Sequence, residues 1–60
     1  MDIESALRNY YNYLKRIPEN EKPDAIDAFQ MSEVLAVCFC MSKEDVMAKY
    51  MLMIKLGEIE

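Results

Sequence analysis

The chain predicts an all-α fold: a small bundle of three helices, or four short ones if the middle helix divides. Three observations carry that prediction. Apolar residues recur at helical spacing in two segments, 2–17 and 43–57. Hydrophobic content is 53%, and only one glycine and two prolines are present, which excludes disorder. The one run that could read as a strand, residues 33–41, has no second strand-like run to pair with and is read as helix.

The first helix is expected over 2–17. Asp2 can cap it, and Ile3, Leu7, Tyr10, Leu14 and Ile17 form its apolar stripe. Glu4, Arg8, Asn12 and Lys15 take the opposite face, with Glu4 and Arg8 spaced as an i, i+4 pair. Lys15 and Arg16 suit the negative end of the dipole, and Pro18 stops the helix. Tyr11 and Tyr13 flank the stripe on its two shoulders, where wet hydroxyls extend the core edge or enlarge an interaction face.

Residues 18–24, PENEKPD, form a polar connection. Pro23 and Asp24 suit the first turn of a second helix over 24–41, either continuous or broken near 30–32, where Ser32 could cap a new start. Ala25, Ile26 and Phe29 are expected to face inward. EVLAVCFCM (33–41) is apolar on every side and is expected to be the fully buried central helix.

The last helix is expected over 43–57. Ser42-Lys43-Glu44-Asp45 resembles a capping box with Asp in place of Glu or Gln, and Gly57 suits the C′ position. At about 100° per residue, Val46, Met47, Tyr50, Met51, Met53 and Ile54 fill one arc, which is assigned to the core. Ala48, Leu52 and Leu56 form a second apolar strip at i, i+4, i+8, bordered by Lys49 and Lys55. A surface helix needs one stripe. The second strip, with Tyr11 and Tyr13, is therefore expected to face another protein chain, most simply a second copy in an isologous dimer.

A single domain spanning 1–60 follows from the length. A chain this short buries only about 60% of its unfolded surface, so its stability is marginal without a disulfide, a metal or association. Cys38 and Cys40 are the only cysteines, and histidine is absent. Two residues apart on a helix, the thiols point about 200° from each other, so reduced, buried thiols are expected. No metal site is expected, because a structural zinc takes four ligands. Association remains.

The longest apolar run, Val34 to Met41, is eight residues, too short to cross a bilayer. The opening MDIESA has neither a basic nor an apolar leader region, so a cytoplasmic location is expected, bacterial or in an infected host cell. The net charge of −4 counts against non-specific nucleic-acid binding. Its acids gather in and just after the connection, at Glu19, Glu21, Asp24 and Asp27, where they could mimic the charge of a polyanion.

Nothing points to catalysis or a cofactor. Histidine is lacking for proton transfer, one glycine cannot build a phosphate loop, and Ser5, Ser32 and Ser42 sit at helix starts. The segment from Ser32, SEVLAVCFCMSKEDVMAKYMLM, resembles the helix-turn-helix family in its spacing. Leu35, Ala36, Phe39, Met41 and Val46 fall where that family takes small or apolar residues. The resemblance covers about a third of the chain. It departs at Cys40, where the family's turn holds glycine, and at Lys49, where it holds an apolar residue. It implies that 43–56 is a recognition helix, with Lys43, Lys49, Arg8, Lys15 and Arg16 meeting DNA. Glu44 and Asp45 lie at the point of closest approach to phosphate and oppose this.

The expected function is that of a small acidic, non-enzymatic protein that binds another macromolecule. Phage-encoded inhibitors of host enzymes and bacterial regulators share this build, by analogy of class. The alternative is a dimeric helix-turn-helix transcription regulator.

Overall fold

A computed structural model describes residues 1–57. The fold is all-α, with helices α1 (Ile3–Arg16), α2 (Ala28–Phe39) and α3 (Lys43–Lys55) and a short 3-10 segment, Glu19–Asp24, between the first two. The first and last helices lie within two residues of their expected ends because local chemistry sets those ends. The Asp2 side chain accepts the Ser5 backbone N–H at 2.8 Å. Ile17 is already extended ahead of Pro18. Ser42 Oγ accepts the Asp45 N–H at 3.1 Å, and Gly57 closes α3 in the left-handed region, with φ 71.

The middle helix departs from expectation at its start. Pro23 and Asp24 finish the 3-10 segment instead of opening a helix, and α2 begins only at Ala28. The reason is a capping box about one turn downstream of the expected start. Asp27 accepts the Gln30 N–H at 2.7 Å, while Gln30 Oε1 accepts the Asp27 N–H at 3.3 Å, which satisfies two orphan donors. Ser32 is no cap. It is buried in mid-helix, where its hydroxyl donates to the Phe29 carbonyl at 2.7 Å, and α2 runs unbroken past it.

The turn between α2 and α3 is three residues long. Cys40 is the sole non-glycine among the described residues with positive φ (54°), and the Met41 N–H returns to the Ala36 carbonyl at 2.9 Å, the 6→1 bond of a Schellman closure. A left-handed L-residue costs roughly 1–2 kcal/mol. Cys40→Gly removes that strain and an exposed thiol, so the variant is expected to melt a few degrees higher, about 0.5–1 kcal/mol more stable after glycine's unfolded-state entropy is subtracted. A melting temperature at or below that of the wild-type chain would show that the turn is unstrained.

Leu7 and Tyr10 of α1, Met31 of α2, and Val46, Tyr50 and Met53 of α3 make the core. Tyr10 and Tyr50 meet edge to face, with ring centroids 5.6 Å apart. The Tyr10 hydroxyl donates to the Ile26 carbonyl at 2.8 Å and ties α1 to the connection. Glu4 reaches across to Lys49, at 3.1 Å, in a half-exposed pair that adds little stability.

The helix expected to be fully buried is not. Of α2 only Met31 and Ser32 are buried; Val34 is 57% and Val37 82% exposed. Cys38 and Cys40, expected to be buried, are exposed free thiols. Ile26 and Phe29, expected to face inward, are also exposed; the Phe29 ring carries the Lys43 ammonium at 5.0 Å. The cause is the number of elements. Two neighbouring helices cover about half the circumference of a third, and this chain has no more to offer. Among the described residues no helix is long and apolar enough to cross a membrane.

Candidate interaction surfaces

Two apolar surfaces remain after the core is formed. The first lies on α3. Ala48, Leu52 and Leu56 stand on one exposed side of the helix, with Leu52 half exposed and Leu56 60% exposed. Met51 and Ile54, expected in the core arc, are exposed as well. The buried arc of α3 is narrower than its apolar arc because α1 and α2 together reach only the Val46–Tyr50–Met53 side, with Met47 at its border. Charges interleave with this surface: Lys55 and Glu44 lie on one flank and Lys49 on the other, with Asp45 in line with the row at its N-terminal end.

The second surface is a groove between α1 and α2. Ala6, Tyr10 and Tyr13 form one wall, Met31, Val34 and Leu35 the other, and Ile26 closes an end; the volume is about 340 Å³. Asn9 is the one polar side chain in the lining. The groove exists because α1 packs on α2 far less closely than α2 packs on α3, while the Tyr10 hydroxyl ties α1 to the connection. Beyond Val34 the apolar surface continues over the outer face of α2 to Val37 and Cys38.

Tyr11 and Tyr13, expected to work with the α3 strip, are separated. Tyr13 lines the groove, 6.2 Å from Tyr10 between ring centroids. Tyr11 packs at the core edge under the Lys15 ammonium. Sequence reasoning missed Ile26, Phe29, Val34 and Val37 as surface. Their signal was present: a helix with one charged residue in twelve, in a chain too short to surround it.

The four connection acids are all exposed, but they do not act alike. Glu19 holds Lys22 at 2.8 Å, and Asp27 is engaged as a helix cap. Glu21 and Asp24 present their carboxylates outward from the 3-10 segment. Hydrogen bonding from Ser5 holds the Asp2 carboxyl below its ordinary range. Burial, with the neighbouring Tyr50, Asp27 and Tyr13 charges, pushes the Tyr10 phenol up to about 12; burial also raises that of Tyr50.

No family model, curated protein or solved structure matches this chain.

Proposed function

We propose that the chain is a small, acidic, non-enzymatic protein that acts by binding another macromolecule, in the manner of a phage-encoded inhibitor or a bacterial regulator acting in the cytoplasm. One observation carries this reading: large apolar side chains stay exposed on two helices after a complete core has formed. The target is a protein. Leu52 and Leu56 supply an apolar row on α3, and the outward acids Glu21 and Asp24 favour a basic site on the target.

The test uses the full chain as bait against extract, beside a Leu52→Glu bait of equal helicity. A protein held by the wild-type chain, lost with Leu52→Glu and weakened by high salt is the expected result. Equal capture by both baits overturns the reading.

The turn at Cys40 favours a second reading. Its left-handed backbone is what the helix-turn-helix resemblance asks of that position, and α3 then takes the place of the recognition helix. The chemistry at the helix start opposes it. Lys43 lies over Phe29 and Lys49 on Glu4, while Glu44 and Asp45 are exposed. A low-salt gel shift that gives no complex with mixed-sequence DNA removes this alternative.

A further inference from the structure

We infer that the outer face of α2, with the groove beside it, is the seam of a homodimer, and that the α3 strip is left for a different macromolecule. This rests on the reading of the chain as a binding protein and assigns one of its two apolar surfaces to a second copy. It moves self-association from α3, where periodicity placed it, to α2.

Charge is the first argument. Each copy carries −4, so two copies repel, and they repel least where the facing surfaces are neutral. Interface cores are depleted of charged residues. α2 holds one charged residue, Glu33, and the groove lining holds none. The α3 strip has charged side chains along both flanks, which suits a rim against a charged target better than a seam between two acidic copies.

Area is the second argument. A stable interface takes about 800 Å² from each partner, near a fifth of this chain's 4330 Å². On α3 the Ala48–Leu52–Leu56 row is one residue wide and is parted from exposed Met51 and Ile54 by Glu44 and Lys55. The α2 surface is continuous across two helices and the connection, from Tyr13 and Ile26 through Val34 to Val37 and Cys38.

Shape is the third. Val37 projects from α2, 82% exposed, and the groove opens on the Val34 and Leu35 side of the same helix. A twofold axis passing close to Val34 and Cys38 lays two α2 helices antiparallel and lets each copy's Val37 enter the other's groove. That is isologous closure, which ends at two copies.

The test is molar mass in solution at micromolar concentration, under reducing conditions. Twice the 7.0 kDa chain mass is expected for the wild-type chain. Val37→Glu should yield monomer with unchanged helical circular dichroism, its dissociation constant raised on the order of 100-fold or more. Leu52→Glu should stay dimeric. With mild oxidation, Cys40→Ser should give a covalent dimer through Cys38, and Cys38→Ser should not. A monomeric wild-type chain, a dimer broken by Leu52→Glu and not by Val37→Glu, or cross-linking through Cys40 alone overturns the seam. Those results leave the binding-protein reading to its own test, which reads capture of a target and not mass.

Discussion

Val46→Glu is expected to unfold the chain. Val46 is fully buried within the cluster that joins all three helices, and no cation lies among the buried residues to meet a carboxylate. An unpaired charge there costs several kcal/mol whether it stays ionised or is forced to take up a proton. A domain of this size sits at the low end of the usual 5–15 kcal/mol, so a loss of that order removes most of its stability. Leu52→Glu, on the same helix and half exposed, is the control: its helical signal and melting temperature should stay near those of the wild-type chain. Thermal melts followed by far-ultraviolet circular dichroism separate the two. A Val46→Glu chain that melts with the wild-type chain would mean that α3 does not face the core through this arc.

Alkali is expected to unfold the chain between about pH 10 and 12. Tyr10 and Tyr50 are buried as neutral phenols, packed edge to face, and in each the folded state holds the pKa above its ordinary value of 10.0. For a group whose folded pKa is raised, the linked stability is fully present below the unfolded pKa and is lost as pH climbs through the folded one. For Tyr10, pushed up to about 12, the loss is roughly 2–3 kcal/mol once the medium is well above that range. The phenolate absorbance and the helical signal should therefore change together. Tyr10→Phe removes the titrating group along with the hydroxyl bond to Ile26. It should lower stability at neutral pH by about 1 kcal/mol and move the alkaline midpoint upward. An unmoved midpoint in the double variant Tyr10→Phe with Tyr50→Phe would assign alkaline unfolding to other groups.

The legible parts of the fold share a cause. α1 could be read almost to the residue because Asp2, Pro18 and the Leu7–Tyr10 stripe each act within a turn of the end or face they set. The same holds for α3, where Ser42, Gly57 and the Val46–Tyr50–Met53 arc all stand as expected. The errors gather in the middle. Asp27-x-x-Gln30 is a readable capping box, but Pro23 and Ser32 compete with it as start signals, and prolines punctuate more visibly than caps. Apolar is not the same as buried in so short a chain: most of α2 is exposed, and so are Met51 and Ile54 of α3. The Ala48–Leu52–Leu56 strip is legible as surface because Lys49 and Lys55 mark its borders; α2 carries no such marks.

By itself the sequence determined that this protein is helical, where its first and last helices start and stop, and which side of α3 is the core. Those are short-range matters, settled by capping bonds, by fixed proline geometry and by a periodicity that polar residues make visible. Only the tertiary structure decided what α2 does. With one charge in twelve residues its pattern names no outward face, so which side is covered depends on where two other helices happen to lie. They cover Met31 and Ser32 and leave Val34, Val37 and a groove open, because three helices cannot enclose one of their own number.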